Sequence, residues 1–143
     1  FVDLRLRPQL ERVGDLGLTG PVVERVLEGL RKRLDQLEPA PSLVHGDLWG
    51  GNAGVLADQR GSLFDPACWW ADREVDLAMT RMFGGFGSRF YDGYFSVLPA
   101  RPNWDERIEI YNLYHLLNHA NLFGGSYRNQ SRASLQKLAR ALG

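Results

Sequence analysis

Three side chains whose types and spacing could carry out chemistry are Asp47, Asn52 and Asp65. Four residues separate Asp47 from Asn52 in a glycine-rich stretch, and Asp65 follows a second turn. This spacing is typical of phosphoryl transfer, in which a carboxylate accepts the proton of a hydroxyl group while an amide and a second carboxylate hold Mg²⁺ against a phosphate chain. We therefore predict half of a phosphoryl-transfer site, with Asp47 as the base and Asn52 and Asp65 as metal ligands.

Each of these residues also has a purely structural interpretation. An isolated loop Asp is often a turn residue or a cap, Asn52 could cap a turn, and Asp65 could form a turn before a proline. The glycines of the loop favour chemistry, because they permit a tight turn that a substrate can approach closely. The combination of all three residues at this spacing favours a catalytic role for Asp47.

Two further residues are expected to support the loop. We interpret His45 as a brace that acts through hydrogen bonds, because Asp47 already supplies the base. Asp76 lies inside a predicted helix, and we interpret it as a structural residue that bonds back to the catalytic loop. Cys68 lies beside two tryptophans with no base placed to activate it, so we expect a small buried side chain.

A second polar pattern lies on a helix predicted from Trp104 to Leu122. Asn112, His115 and His119 share one face of it, because residues at these spacings stack on a helix. Three interpretations remain open: a polar seam between helices, the lining of a substrate pocket, or a zinc site on the histidine pair. Zinc has the least support, because the only other histidine is His45.

Short strands are expected to position the catalytic residues. Residues 43–44 predict a strand that enters the Asp47 loop, and residues 52–56 and 62–64 predict two strands joined by a turn. Asp65 therefore emerges at a strand end. The glycine run at 84–87 follows a helix rather than a strand and lacks the lysine of a phosphate-binding loop, so it predicts only a flexible connection.

The remaining segments predict helices. Apolar residues recur at helical spacing over residues 22–37, after Gly20-Pro21, and again over residues 133–142. Residues 1–8 fit either a strand or a helix that is stopped by Pro8. The expected helix caps are Asp72, Ser88, and Asn103 together with Glu106. The predicted fold class is α+β and mostly α-helical, with a small β-hairpin that carries the catalytic and metal-binding loops.

Composition excludes several classes of partner. The formal net charge is zero, with 17 basic and 17 acidic residues, so neither nucleic acid nor an anionic membrane surface is indicated as a partner. No apolar run approaches the ~20 residues of a membrane span. The single cysteine cannot form an intramolecular disulfide and favours a reducing, cytoplasmic setting.

Longer motifs show a family resemblance. The His-Gly-Asp-x4-Asn motif at 45–52, with Phe-Asp-Pro at 64–66, resembles the aminoglycoside phosphotransferase and choline kinase branch of the protein-kinase-like fold. Further stretches narrow the resemblance to the fructosamine (ketosamine) kinase family; they lie at 48–54, 72–78, 83–86 and 112–119. The similarity runs from about residue 5 almost to the C-terminus.

The resemblance implies an ATP-dependent, magnesium-requiring kinase. Its acceptor would be the sugar of ketosamines, the glycation products of amines and protein lysines, so that the reaction would serve protein deglycation. Asp47 would then accept the sugar hydroxyl proton, and Asn52 and Asp65 would hold magnesium. An aminoglycoside or a choline-like compound is the alternative acceptor.

The same resemblance implies an acceptor side for the site. Trp49, next to the catalytic Asp47, would pack against the sugar. His115 and His119 would lie on the substrate side, which favours the pocket interpretation of their helix face over the seam.

One part of the family pattern is missing from this sequence. Members of the fold carry an N-terminal lobe with a nucleotide-covering loop and a strand lysine, whereas Lys32 and Lys137 lie on predicted helices. We therefore expect residues 1–143 to form a single domain, the C-terminal catalytic lobe without the N-terminal lobe. Such a chain should have negligible kinase activity by itself. It could also self-associate through the surface that an N-terminal lobe would cover.

A hypothesis of a different class is a non-catalytic, pseudokinase-like binding lobe. Such a module would retain the fold without any demand on the catalytic side chains. The presence of Asp47, Asn52 and Asp65 at their characteristic spacing favours the enzyme instead.

Overall fold

The computed structural model describes residues 1–142, which group into two compact units. Of the described residues, the first unit comprises 1–39 and 112–142, and the second comprises 40–111. Helix α5, Trp104–Phe123, contributes residues to both. The prediction of a mostly helical α+β chain with a small hairpin is confirmed. None of the helices within residues 1–142 is both long enough and apolar enough to cross a membrane.

The first unit is helical throughout its regular structure. A π-helical segment, Val2–Leu6, runs directly into α1, Arg7–Val13, and is followed by α2, Gly20–Asp35; the C-terminal helix of this unit is α6, Ser126–Leu142. The strand interpretation of residues 1–8 is wrong, because Val2–Leu6 is helical. The helix interpretation is right except for its end, because Pro8 lies in the first turn of α1 and does not stop the helix. Proline is tolerated there because its missing N–H would have no partner within the helix.

Apolar stripes of α2 and α6 form much of the core of this unit. Val26, Leu27 and Leu30 are buried on α2, as the amphipathic pattern predicts, and Leu135 and Leu138 are buried on α6. Burial of such side chains contributes about 1.5–3 kcal/mol each relative to exposure.

Side-chain hydrogen bonds connect α1 to α5 and α6. The Asn121 side-chain amide donates to the backbone oxygen and to Oε1 of Gln9, at 3.0 and 2.6 Å. Arg128 donates to the carbonyl oxygens of Val13 and Asp15, at 2.7 and 2.6 Å. The bond to Val13 satisfies a carbonyl group at the end of α1 that has no N–H donor within the helix.

The strands of the second unit form two antiparallel pairs. Strand β2, Ala53–Val55, pairs with β3, Gly61–Leu63, which confirms the predicted hairpin with slightly shorter strands. Strand β1, Ser42–Val44, pairs with β4, Trp69–Ala71. The β4 strand was not predicted from the sequence, because its three residues are too few to show an alternating pattern.

The N-caps of two helices in the second unit each lie one residue from the expected position. Helix α3, Glu74–Met82, has Arg73 at its N-cap position, while Asp72 accepts the Glu74 N–H at 3.0 Å. Helix α4, Ser88–Val97, begins at Ser88 itself, with Gly87 at the N-cap, so the predicted Ser88 cap is wrong. At the start of α5, the Glu106 N–H donates to the backbone oxygen of Asn103 at 3.1 Å.

Two buried carboxylates at the start of α3 are neutralised by arginines from the α4–α5 region. Glu74 is 2% exposed and accepts hydrogen bonds from Arg107 Nε and Nη2, at 2.6 and 2.8 Å. Arg101 donates to both Glu74 and Asp72. Such burial is tolerated only because each charge is paired and hydrogen-bonded. The network fixes the start of α3 against the segment that precedes α5.

A phenol completes the network. The Tyr111 hydroxyl donates to Asp72 at 2.7 Å. Burial, followed by the negative charge of Asp72, raises the pKa of Tyr111 well above its ordinary value. The hydroxyl therefore stays protonated and remains a donor.

Replacement of one network arginine should be costly. Arg107→Met leaves Glu74 buried with a reduced set of partners, and we expect the free energy of unfolding to fall by about 3–5 kcal/mol. The control is Arg60→Met, which removes a pair with Asp58 that is exposed on both sides, and should cost less than about 1 kcal/mol. Urea denaturation of the two variants measures the difference; equal small losses would show that the network contributes little.

Candidate active site

The Asp47 loop connects β1 to β2 and contains the first two predicted site residues. It ends in a 3-10 turn, Gly50–Asn52, that leads into β2. The Asn52 side-chain amide donates to the backbone oxygen and to Oδ2 of Asp47, both at 3.0 Å. Asn52 is 6% exposed, whereas Asp47 is only half-buried. The structure therefore brings Asp47 and Asn52 into direct contact and leaves the carboxylate accessible.

The loop lies directly on the segment that carries Asp65. Gly46 has a φ of +80°, and a Cβ atom there would lie 2.1 Å from the carbonyl oxygen of Ala67. Only glycine fits this approach and this conformation. The Ala67 N–H also donates to the carbonyl oxygen of His45 at 2.8 Å. Glycine at position 46 is thus required by packing as well as by loop geometry.

Asp65 follows β3 and is exposed, with a φ of +53°. Its neighbour Phe64 donates its N–H to the carbonyl oxygen of Asn52 at 3.1 Å. The carbonyl oxygen of Phe64 lies 3.0 Å from His45 Nε2. The residue before Asp65 is therefore bonded to both ends of the Asp47 loop. Left-handed backbone is uncommon for a residue with a side chain, and is enriched at functional sites.

Asp76 holds the start of the Asp47 loop through its carboxylate. It lies in the first turn of α3, and its Oδ2 and Oδ1 atoms accept the backbone N–H groups of His45 and Gly46 at 2.7 and 2.9 Å. Burial raises the pKa of Asp76, while the two N–H donors oppose that change. Both carboxylate oxygens are used by the loop, so Asp76 acts on its geometry.

The residues present fit a magnesium ion held jointly with phosphate. No group of three or more His, Cys, Asp or Glu side chains that could hold a metal occurs among the described residues. Asn52 and Asp65 instead offer two oxygen ligands, and Mg²⁺ commonly takes one or two protein ligands with substrate phosphates and water completing its shell. The two donor bonds of the Asn52 amide nitrogen to Asp47 leave its oxygen for a metal.

Trp49 contacts a segment that the sequence marked only as a flexible connection. Its indole lies across Gly51, where a Cβ atom would come within 2.3 Å of the ring, and meets Phe83 edge-on at a centroid distance of 6.1 Å. A Cβ atom on Gly85 would lie 3.2 Å from the Gly50 Cα. The segment that follows α3 therefore packs on the Asp47 loop. The adjacent glycines at 50–51 and 84–85 were the feature of the sequence that could have predicted this contact.

His115 and His119 belong to the first unit, whereas the Asp47 loop belongs to the second. His115 is 4% exposed, and its Nε2 atom has no hydrogen-bond partner within residues 1–142. Burial, followed by the charges of His119 and Arg5, lowers the pKa of His115 to about 4. The His119 Nδ1–H donates to the His115 carbonyl oxygen at 2.7 Å. The burial of His115 supports the seam interpretation of this residue.

The expectation of a buried Cys68 is wrong. Its side chain is exposed, in the irregular segment between the Asp65 turn and β4. The neighbouring Trp70 is itself 69% exposed, so the two aromatic residues beside Cys68 do not enclose it as the apolar sequence suggested.

These contacts define a class of protein. A loop with Asp47 and Asn52, followed by a strand pair that leads to Asp65, has the order of the corresponding parts of a protein-kinase-like fold. The fructosamine kinase family model matches residues 1–141, and the chain belongs to the fructosamine kinase family. The resemblance inferred from the sequence motifs is confirmed.

Relatives and solved structures agree with this assignment. A protein from Vibrio parahaemolyticus named a probable ketoamine kinase is 46% identical over 139 residues, which are 96% of this chain and 48% of the relative. The mouse ketosamine-3-kinase is 46% identical over 73% of this chain and 33% of its own length. The chain spans about half the length of the bacterial relative.

Crystal structures show the same fold. A protein from Thermobifida fusca, provisionally named a fructosamine-3-kinase, superposes with a TM-score of 0.81 at 36% identity, covering 96% of this chain and 49% of that one. A Haemophilus somnus protein with the same provisional name gives a TM-score of 0.83 at 30% identity, covering 96% and 48%.

The buried His115 should make stability depend on pH. Its pKa is lower in the folded chain than the ordinary value of 6.5, so the unfolded chain binds more protons between pH 6.5 and about 4. The free energy of unfolding should therefore fall as the pH falls through this range, by up to about 3 kcal/mol. His115→Gln should remove that part of the slope.

Urea denaturation between pH 7.5 and pH 4.5 checks this expectation. The half-buried His119 provides the matched control: His119→Gln removes a smaller cause of the lowered His115 pKa but leaves the burial that is its largest cause, so most of the slope should remain. Parallel pH profiles for the original chain and the His115→Gln variant would contradict the prediction.

Proposed function

We propose that this chain is the catalytic lobe of an ATP-dependent kinase that phosphorylates a sugar hydroxyl of ketosamines. The observation that carries the proposal is the pair of hydrogen bonds from Asn52 to Asp47, made in a member of the fructosamine kinase family. This contact unites the proposed base with a proposed metal ligand. A cytoplasmic location and a role in protein deglycation go with this proposal.

In the proposed mechanism, Asp47 accepts the proton of the acceptor hydroxyl as that oxygen bonds to the γ-phosphorus of ATP. The bond from this phosphorus to the β–γ bridging oxygen breaks, and ADP leaves. The Asn52 amide occupies Oδ2 of Asp47, which orients Oδ1 towards the hydroxyl. Asp76 keeps the loop backbone in place, which preserves the reacting geometry on which such reactions depend.

The oxygen atoms of Asn52 and Asp65 would hold magnesium. When bound, the ion neutralises negative charge on the transferring phosphates. The Phe64 backbone bonds keep the segment before Asp65 next to Asn52, so both ligands come from one continuous hairpin. Few protein ligands suffice, because the nucleotide supplies the others.

On the acceptor side, Trp49 is the residue proposed to pack against the sugar. Its indole is 40% exposed beside the catalytic loop, which leaves an aromatic face for the apolar C–H groups of a sugar ring. His115 and His119 are also proposed for the substrate side, on the basis of the family resemblance alone.

The base assignment can be tested in a completed enzyme. The completed enzyme is this chain joined to the remaining half of the family's length. That half comes from the protein's own gene where the gene encodes it, and otherwise from the Vibrio parahaemolyticus relative. Asp47→Asn should lower kcat by about 100- to 10,000-fold, because it removes a general base. ATP affinity should change less than about twofold.

Ketosamine-dependent ATP turnover and nucleotide titration provide the two readouts. The control is Asp58→Asn, a change in the exposed turn of the hairpin that should leave both readouts unaltered. An Asp47→Asn variant with unaltered turnover would refute the base assignment.

The 143 residues by themselves should show negligible turnover. The chain spans about half the length of its relatives, and we propose that further contacts to the nucleotide phosphates come from the other half. Loss of those contacts removes positioning and electrostatic stabilisation. The same assay, run on the chain and on the completed enzyme at equal concentration, measures this; comparable rates would overturn the prediction.

A further inference from the structure

Two half-exposed aromatic side chains meet beside the Asp47 loop. The Trp49 indole and the Phe83 ring are 40% and 44% exposed, and they meet edge-on, with centroids 6.1 Å apart and an angle of 71° between the ring planes. Rings in this arrangement attract each other beyond the apolar area that they bury. Trp49 belongs to the loop, whereas Phe83 is the C-cap residue of α3. The contact therefore joins two separate elements of the second unit.

The rest of the Trp49 residue is already fixed by the loop. Its N–H donates to the carbonyl oxygen of Asp47 at 3.1 Å, and its carbonyl oxygen accepts the Asn52 N–H at 2.9 Å. One side of the indole lies against Gly51, where a Cβ atom would come within 2.3 Å of the ring. Gly51 does not have a positive φ, so its lack of a side chain makes room for the indole and is not required by the backbone. Phe83 supplies the remaining contact, at the edge of the ring.

Helix α3 contacts the Asp47 loop at both of its ends. Asp76 in its first turn accepts the first backbone N–H groups of the loop, and Phe83, seven residues later, meets the indole. Seven residues are about two helical turns, so the two side chains lie on about the same side of the helix. The helix thus holds the backbone that precedes the proposed base and the aromatic side chain that follows it.

The position of Trp49 favours the acceptor over the nucleotide as its ligand. A general base lies within hydrogen-bond reach of the acceptor hydroxyl, so the carbon skeleton of the acceptor begins beside Asp47. The backbone bond between Trp49 and Asp47 keeps the indole with this residue. The base of ATP is instead separated from the transferred phosphorus by two phosphates and a ribose. Neither Trp49 nor Phe83 lines the groove beside the β2–β3 hairpin, which leads to the proposed magnesium ligands.

We propose that Phe83 is a positioning residue of the acceptor site, which holds the Trp49 indole in the orientation that receives the sugar of the ketosamine. This inference rests on the proposed function, because it takes the sugar to pack on Trp49. Without the Phe83 ring, the indole keeps its contact with Gly51 but loses the contact at its edge. Each binding event must then order a more mobile side chain, which lowers the affinity for the acceptor.

A double-mutant cycle in the completed enzyme tests the inference. Trp49→Ala should raise KM for a fructosamine by about tenfold or more, because it removes the packing surface, and Phe83→Ala should raise it by about three- to tenfold. In the double variant, KM should equal that of Trp49→Ala alone within about twofold, because Phe83 acts through the indole. The KM for ATP should change less than about twofold in Phe83→Ala.

The turnover number separates positioning of the indole from general support of α3. A loosened α3 would also displace Asp76 and lower kcat, whereas loss of the aromatic contact alone should leave kcat within about twofold. Phe83→Tyr keeps the ring and should retain the original KM. The control is Val97→Ala, an exposed apolar truncation on α4 that should alter neither constant.

The possible outcomes separate this inference from the proposed function. A KM in the double variant equal to the product of the two single effects would overturn the inference, since Phe83 would then act independently of Trp49. A rise in KM for ATP alone would assign the aromatic pair to the nucleotide, and a fall in kcat alone would assign Phe83 a structural role; either result overturns it. Absence of turnover with every fructosamine would overturn the proposed function itself. A rise in KM for the fructosamine that disappears in the Trp49→Ala background supports the inference.

Discussion

The carboxylate of Asp76 determines the shape of the Asp47 loop. Its two oxygens accept the consecutive backbone N–H groups of His45 and Gly46. These two residues lie just after β1, so strand pairing supplies no acceptor for their N–H groups. Buried N–H groups without acceptors are costly, so the loop backbone adopts the conformation in which both reach the carboxylate. Because Asp47 follows directly, the position of the proposed base depends on a residue of a different element.

Asp76 can do this only if α3 is itself held in place. The helix begins with Glu74, whose buried charge is paired with Arg107 and Arg101. The same region contains Asp72, which also bonds to Arg101. Charged pairs of this kind contribute modestly to net stability but tolerate few alternative geometries. The ion network therefore fixes the first turn of α3, and Asp76 in that turn fixes the backbone of the Asp47 loop.

Contacts between backbones explain why glycines surround the site. Gly46 allows Ala67 to approach the loop, and Gly85 lies against Gly50 on the other side. A Cβ atom on Gly46 would overlap the carbonyl oxygen of Ala67, and one on Gly85 would lie 3.2 Å from the Gly50 Cα, which is tighter than an ordinary contact. The loop is therefore packed between the Asp65 segment and the segment after α3, which leaves its exposed surface for the proposed reactants.

Residue type and spacing along the chain determined the base–amide–acid pattern, the β2–β3 hairpin and the amphipathic helices, because each depends on neighbours within a few residues. The structure alone decided the pairing of β1 with β4, the exposure of Cys68 and the contact of Gly85 with Gly50. The strand pairing and the glycine contact join segments more than twenty residues apart, and the exposure of Cys68 depends on whether another segment covers it. Local periodicity contains no information about such distant partners, so only tertiary packing could supply them.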